Sequence, residues 1–144
     1  MRMPFLGAGI FLFLLSPVSA LADECETPTG NAAKAISRLY AKIDGNNEGA
    51  CILYGDYSGD GRNDGLAFLY FSPPGGNGVF LEVHKLRQTA RRQFESDGTV
   101  EIFGVTPRDA RFSRGRIEVT TSVQGPNDPR CCPTEEKRWV VNAR

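Results

Sequence analysis

The residue types best suited to chemistry are concentrated in one short acidic segment in the first half of the chain. Oxygen-bearing side chains occur at alternate positions, in Asp56, Ser58 and Asp60, and a further carboxylate follows at Asp64. Hard cations such as Ca²⁺ take oxygen ligands only, and loops that bind them turn such oxygens inward. With the backbone carbonyl of Arg62 as a fifth ligand, the spacing predicts a Ca²⁺ site with a structural role.

The residues after this segment limit the kind of loop it can form. Gly61 stands where a calcium loop turns sharply, but the position of the bidentate glutamate of an EF-hand is occupied by Ala67. The segment is similar to the strand-flanked calcium loops of FG-GAP repeats in integrin-type propellers, although its single copy excludes a propeller. The alternative is a turn whose carboxylates accept backbone N–H hydrogen bonds without an ion. Repulsion among three converging carboxylates favours the ion.

The N-terminus has the features of an export signal. Arg2 precedes an apolar run at residues 7–15, and small residues before Ala22 predict cleavage there. We therefore expect a signal peptide over residues 1–22 and a single domain over residues 23–144, in the periplasm or secreted. The alternative is a retained membrane anchor. The signal carries one of 17 basic side chains, so 16 remain against 17 acidic ones, which favours neither nucleic acid nor anionic membrane as a partner.

Four cysteines remain after the predicted cleavage, which in an exported chain indicates two disulfides. They are Cys25, Cys51, Cys131 and Cys132. Adjacent Cα atoms are only about 3.8 Å apart, closer than most disulfides prefer. Geometry therefore favours bonds that cross from the N-terminal to the C-terminal pair, and a Cys131–Cys132 bond is the alternative. A zinc site is not expected because CxxC spacing is absent.

Hydrophobic periodicity predicts an α+β domain in which one N-terminal amphipathic helix packs on a mostly antiparallel β-sheet. The helix is expected over residues 31–43, where apolar residues recur every three or four positions. The predicted strands cover residues 50–54, 66–71, 79–86, 100–105, 116–123 and 137–142, with a strand or exposed ribbon over 87–96.

A few other side chains could carry chemistry, and each has a plainer interpretation. We expect His84 to be a solvated strand residue, Tyr57 to be exposed in the acidic loop and Trp139 to be a core residue. A basic patch is expected to be a solvated strand face; it comprises Lys85, Arg87, Arg91 and Arg92. No nucleophile with a partner base is recognisable, so no catalytic residues are predicted.

Two sequence blocks carry a family resemblance. Residues 54–67 read YGDYSGDGRNDGLA, and residues 125–134 read GPNDPRCCPT. The chain resembles a group of small exported bacterial proteins, largely uncharacterised, that have a GDxxGDGxxD hairpin loop and a GPxDPxCCPT segment. The resemblance implies an exported single domain without an assigned activity. It also favours bonding Cys131 to Cys132 and Cys25 to Cys51, against the geometric preference.

Together these features predict an exported, non-enzymatic domain that contains one calcium-type loop and binds an unidentified protein or envelope component. No membrane span is expected after removal of the signal. The alternative is an envelope hydrolase or a hydrolase inhibitor that uses the acidic loop. A redox role for Cys131 and Cys132 is a third hypothesis.

Overall fold

The computed structural model describes residues 21–144, so residues 1–20 of the predicted signal peptide lie outside the described residues. One helix and eight strands form this part of the chain. In chain order they are β1 (Leu21–Glu24), α1 (Gly30–Tyr40), β2 (Asn46–Tyr54), β3 (Gly65–Ser72), β4 (Phe80–Gln88), β5 (Phe94–Val100), β6 (Val105–Ser113), β7 (Arg116–Val123) and β8 (Glu135–Asn142).

The strands form two separate four-stranded sheets, in the orders β2-β3-β4-β5 and β1-β6-β7-β8. Every strand pair is antiparallel. The prediction of an α+β fold with a helix, antiparallel strands and a disulfide is confirmed. The sequence did not show that the strands divide between two sheets.

One core lies between the two sheets. The first sheet contributes Leu53, Phe68 and Val83, which pack with Ile117 and Val119 from the second. All five side chains are at most 1% exposed. Burial of this apolar surface is the main stabilising term for the sandwich.

A second core lies between α1 and the other face of the first sheet. Ala35, Ile36 and Leu39 of the helix are buried against Ile52 and Leu69. The apolar positions of α1 recur at the helical period, which places them on one face. The first sheet is therefore covered on both sides, and the molecule has three layers.

The helix begins one residue earlier than predicted and ends three residues earlier. Thr29 occupies the N-cap position with extended backbone, but its side chain makes no capping hydrogen bond. Asn31 instead donates its side-chain amide to the carbonyl of Arg92, 2.9 Å away in the turn before β5. A side chain at the start of the helix thus bonds to a distant turn, and the N-cap residue contributes no side-chain hydrogen bond.

The two disulfides join Cys25 to Cys51 and Cys131 to Cys132. This is the connectivity that the family resemblance implies, and the crossed bonds favoured by chain geometry are wrong. Glu26 and Ile52 exchange two backbone hydrogen bonds of 2.9 Å, which hold the segment after β1 alongside β2. That pairing brings Cys25 next to Cys51, with a Cα–Cα distance of 5.4 Å.

The predicted strand over residues 100–105 is wrong. Val100 ends β5 in the first sheet and Val105 begins β6 in the second, so the residues between them connect the sheets. Ile102 is buried between the layers, whereas Phe103 is 61% exposed. Alternating apolar residues in a crossover imitate the periodicity of a strand.

Strand β6 was missed because its composition is poor for a strand. It contains Pro107 and several charged residues, and two of its residues, Thr106 and Asp109, have a positive φ of 52°. Its pairing with β7 shifts register twice, which is typical of bulged strands. Pairing with β1 on one side and β7 on the other compensates for the weak intrinsic preference.

Strand β1 includes the predicted cleavage position. Leu21 and Ala22 pair with Arg111 and Ala110 of β6, so cleavage after Ala22 would remove half of this strand. Within residues 21–144, no helix has the length and apolar character of a membrane span.

Candidate metal-binding loop

The acidic segment forms the loop between β2 and β3. The backbone N–H of Gly55 donates to the carbonyl of Asp64 at 3.0 Å, which closes the base of the loop. Gly61 has a φ of +81°, a conformation that favours glycine, as the turn prediction required. The β2–β3 hairpin therefore holds the predicted ligand residues in one short segment.

Asp56 organises the first half of the loop through its carboxylate. Oδ1 accepts hydrogen bonds from the N–H of Gly59 at 2.7 Å and of Asp60 at 3.2 Å, and from the hydroxyl of Ser58 at 3.3 Å. Oδ2 accepts the N–H of Gly61 at 2.7 Å. The sequence left open a turn whose carboxylates accept backbone N–H hydrogen bonds without an ion, and the structure contains hydrogen bonds of this kind.

Asp64 is fully buried and links the loop to the neighbouring strand. Oδ2 accepts the N–H of Ser58 at 3.0 Å, and Oδ1 accepts the N–H of Gln88 at 2.9 Å. Gln88 ends β4, which pairs with β3. A buried carboxylate requires such partners because burial without them would be costly.

Asp60 is exposed and is paired with Arg62. Its Oδ1 accepts the backbone N–H of Arg62 at 2.9 Å, and its Oδ2 lies 2.7 Å from the Arg62 guanidinium. The backbone hydrogen bond, followed by the guanidinium, lowers the pKa of the Asp60 carboxyl below its ordinary value. Asp60 is therefore ionised at neutral pH.

The three carboxylates lie together. One oxygen each of Asp56, Asp60 and Asp64 falls within a group whose members are all within 4.8 Å of one another. This spacing can hold a metal ion, because ligand oxygens around a cation are separated by such distances. The structure thus combines the two alternatives: the backbone N–H groups orient the carboxylates, and the carboxylates converge.

The other two predicted ligands are engaged in hydrogen bonds within the loop. The Ser58 hydroxyl donates to Asp56, as described above. The carbonyl of Arg62 accepts the N–H of Asp64 at 3.2 Å. A ligand role for Ser58 and Arg62 stays a prediction.

Tyr57 is not exposed, contrary to the prediction. Its side chain is fully buried in the core between the sheets, and its hydroxyl donates to Asp97 Oδ2 at 3.1 Å. Burial, followed by the negative charge of Asp97, raises the pKa of the Tyr57 hydroxyl. The loop folds back over the sandwich, so a residue within it becomes a core residue.

Two residues of β4 are also more buried than predicted. His84 and Lys85 are each 8% exposed, because the first sheet is covered on both faces. The Nζ atom of Lys85 lies 3.8 Å from Asp97, and the His84 Nε2 atom lies 3.0 Å from Glu82. The basic patch is therefore reduced to exposed arginines, and the prediction of a solvated His84 is wrong.

Trp139 is half-buried on β8 and packs against the core between the sheets. Its indole N–H donates to the Thr121 hydroxyl at 2.8 Å. The ring contacts Phe103 edge-on and lies 4.0 Å from the Lys137 ammonium. Strand β8, on which it lies, is an edge strand of the second sheet.

A pocket of about 580 Å³ adjoins the acidic loop. Tyr57, Ser58 and Asp60 form its wall on the loop side. The remaining lining comes from β4, from the β6–β7 turn and from the residues after β8, namely Arg87, Arg114, Gly115, Ala143 and Arg144. Sequence reasoning missed this pocket, because its lining residues are far apart in the chain.

The fold and site define an α+β domain with disulfides and an acidic loop able to hold a metal ion. Comparison with protein-family models, curated proteins and solved structures finds no match. Function is therefore inferred from the geometry of the loop and of the surfaces around it. The resemblance to small exported bacterial proteins stays a prediction.

Proposed function

We propose that this protein is an exported, non-enzymatic domain that acts by binding an envelope component, and that its β2–β3 loop binds Ca²⁺ as a structural ion. The observation that carries the proposal is the convergence of three carboxylates in a loop that is bonded to both sheets. Asp64 bonds to β4 of the first sheet. The Tyr57 carbonyl accepts the N–H of Gly115, in the β6–β7 turn of the second sheet, at 2.8 Å.

The hydrogen bonds within the loop leave acceptor positions for a cation on two of the three carboxylates, since Asp56 already accepts four hydrogen bonds. An ionised carboxylate has about four lone-pair positions. Asp60 and Asp64 each accept two hydrogen bonds, so each retains capacity for a metal ion. The ligand groups that converge here are all carboxylates, and such oxygen ligands favour Ca²⁺ over softer metals.

Export is supported by the cysteines. Both disulfides join cysteines of this one chain, and the described residues include no free cysteine. Disulfides persist in oxidising compartments such as the periplasm and the extracellular space. The predicted signal peptide points to the same compartments.

The charge state of Asp60 argues against one role in the hydrolase alternative, that of general acid. Asp60 is the one carboxylate of the acidic cluster that lines the neighbouring pocket. A hydrolase of the two-carboxylate type needs a general acid with a raised pKa, whereas the pKa of Asp60 is lowered by Arg62. Asp60 is suited to binding a cation and unsuited to donating a proton.

Thermal unfolding with Ca²⁺ and with chelator tests the proposal. Extracellular calcium modules bind with a Kd of about 10⁻⁴ to 10⁻³ M. At a Kd of about 10⁻⁴ M, about 10 mM Ca²⁺ stabilises the folded state by about 2.7 kcal/mol. We expect a rise in Tm with Ca²⁺ and a return to the starting value with chelator.

Asp60→Asn is the most specific variant for this test. The Asp60 side chain is exposed and forms hydrogen bonds only with Arg62. Asp56 and Asp64, in contrast, also hold the backbone of the loop. We expect Asp60→Asn to remain folded and to lose most of the Ca²⁺-dependent rise. Asp44→Asn, at an exposed aspartate in the α1–β2 turn, makes the same chemical change and should keep the rise. An unchanged Tm in the parent protein at about 10 mM Ca²⁺ would refute the calcium site.

The same pair of variants separates binding from catalysis. If the purified protein hydrolyses a peptidoglycan, glycan or ester substrate and Asp60→Asn abolishes the reaction with the fold intact, the hydrolase alternative replaces the proposal. Absence of turnover in the parent protein supports the binding role.

A further inference from the structure

We propose that the pocket beside the acidic loop binds a small anionic ligand, through a phosphate or carboxylate group held by arginines. This inference deepens the proposed function by naming a ligand class. It relies on that function only in assuming that the protein acts by binding, and it is independent of the calcium site. The residues that carry it are Arg87, Arg114 and Arg144, which line one pocket together with Ser58 and Asp60.

The size and position of the pocket suit a small polar molecule. Its volume of about 580 Å³ lies within the range of about 300–1,000 Å³ typical of ligand pockets. The walls come from both sheets and from the loop that spans them. Ala143 donates its N–H to the carbonyl of Gly115 at 2.9 Å, and Gly115 donates to Tyr57. This chain of backbone hydrogen bonds fixes three of the walls relative to one another.

The positive charge of the pocket exceeds its negative charge. Among the described residues, neither Arg114 nor Arg144 forms an ion pair. Arg87 lies 3.4 Å from Asp97, but Asp97 also accepts from Tyr57 and lies near Lys85. Asp60, the acidic residue of the pocket lining, is paired with Arg62, which does not line the pocket. Three guanidinium groups therefore line the pocket with a single side-chain carboxylate, that of Asp60, which is already paired with Arg62.

Two of the arginines lie against glycines, which places their side chains beside the pocket. A Cβ atom on Gly59 would lie 2.7 Å from Cγ of Arg114, and a Cβ on Gly115 would lie 3.0 Å from Cγ of Arg144. Any residue other than glycine at these two positions would therefore place its Cβ atom in the space that the arginine stems occupy. Gly59 also has a φ of +75°. Contact with the backbone restricts the stems and lowers the entropy lost when a ligand is bound.

Guanidinium groups favour phosphate and carboxylate because their N–H donors match the two oxygens of such groups. The cation of the loop is not required for this recognition, since the arginines belong to the pocket itself. The shared chemistry is an oxyanion on a small polar body. The simplest molecules with such a group are a phosphorylated sugar and a sugar acid. Comparing the two shows whether the pocket prefers a phosphate or a carboxylate.

The test is calorimetric titration of the chelator-treated protein, at low ionic strength, with glucose 6-phosphate, glucuronate and glucose. We expect one or both anionic sugars to bind and glucose not to bind. Arg114→Gln should weaken binding about tenfold or more, the loss expected for a charge-assisted contact. Tighter binding of glucose 6-phosphate or of glucuronate identifies the oxyanion as phosphate or carboxylate.

Arg91→Gln is the matched control. Arg91 is an exposed arginine in the β4–β5 turn, outside the pocket lining, and its removal changes the net charge equally. The proposal is overturned if neither anionic sugar binds at about 10 mM, if glucose binds equally well, or if Arg91→Gln weakens binding as much as Arg114→Gln. Because calcium is absent, failure of the calcium site has no effect on these outcomes.

Discussion

At the residue scale, Tyr57 connects the acidic loop to the core. Its position inside a polar segment suggested exposure, but its ring fills space between the sheets and its hydroxyl bonds to Asp97. The loop is therefore held by a hydrophobic contact as well as by hydrogen bonds. Asp56 and Asp64 maintain its shape, and Asp60 is left available at the surface.

The Tyr57 hydroxyl should have a measurable effect on stability. We expect Tyr57→Phe to lower the free energy of unfolding by about 1 kcal/mol, because one hydrogen bond is lost while Asp97 keeps Lys85 and Arg87 nearby. Tyr57→Ala should cost about 3–5 kcal/mol through loss of the buried ring. Urea unfolding measures both changes.

Tyr54→Phe is the control for this experiment. Tyr54 is half-buried on β2, and its hydroxyl makes no hydrogen bond to the described residues. Its removal should change stability by less than about 0.5 kcal/mol. Equal losses from Tyr57→Phe and Tyr54→Phe would show that the bond to Asp97 contributes nothing specific.

At the element scale, the two disulfides have different structural roles. Cys25 and Cys51 are 26 residues apart in sequence and fasten the segment after β1 to β2. Cys131 and Cys132 are adjacent and lie in the exposed β7–β8 connection. Asp128 organises this connection by accepting the N–H of Gly125 at 2.8 Å and of Thr134 at 2.7 Å.

Removing the disulfides should therefore have unequal effects. We expect the double variant Cys25→Ser/Cys51→Ser to lose about 2–4 kcal/mol of stability, because the bond closes a long loop in the unfolded chain. Cys131→Ser/Cys132→Ser should lose much less, because its bond closes almost no loop. Denaturant unfolding of the two variants under oxidising conditions tests this order, and a larger loss from the second variant contradicts it.

At the scale of the whole molecule, the ionisable groups predict a stability maximum between acid and alkaline pH. The carboxyl groups of Asp60, Asp128 and Glu118 have pKa values below their ordinary values of 3.8, 3.8 and 4.5. Hydrogen bonds from Arg62, Thr134 and Arg116, respectively, are the largest causes. Their stabilising contribution is present above the unfolded pKa values and is lost as the pH falls through the folded ones.

The tyrosines act in the opposite direction. Burial raises the pKa of Tyr40 from its ordinary value of 10.0 to about 12. Burial also raises the pKa of Tyr57. Each contribution is present below pH 10 and is lost as the pH rises through the folded pKa, because the neutral hydroxyl is favoured in the folded state.

We therefore expect the free energy of unfolding to be nearly constant from about pH 5 to 9 and to fall on either side. Urea unfolding across this range measures the profile. Asp128→Asn should flatten the acid side, and Tyr40→Phe should flatten the alkaline side. A profile that these variants leave unchanged would show that other groups control it.

The local sequence was sufficient to predict those elements whose residue pattern depends on local backbone geometry. The helix, the continuous apolar run of β3 and the turn at Gly61 were predictable, because periodicity and glycine act through local geometry. The carboxylates of the acidic loop were predictable as a group for the same reason, since they are neighbours in one hairpin.

Only the tertiary structure decided which residues are covered and which distant residues meet. The burial of Tyr57, the crossover at Phe103 and the bulged strand β6 depend on two sheets packing face to face. His84 pairs with Ala67 on the opposite face of the first sheet, so its burial depends on the side of the sheet that the helix covers. The arginine pocket combines residues from four separate segments. Such contacts arise from the burial of the shared core, which selects one arrangement of the whole chain and leaves no trace in any short stretch of sequence.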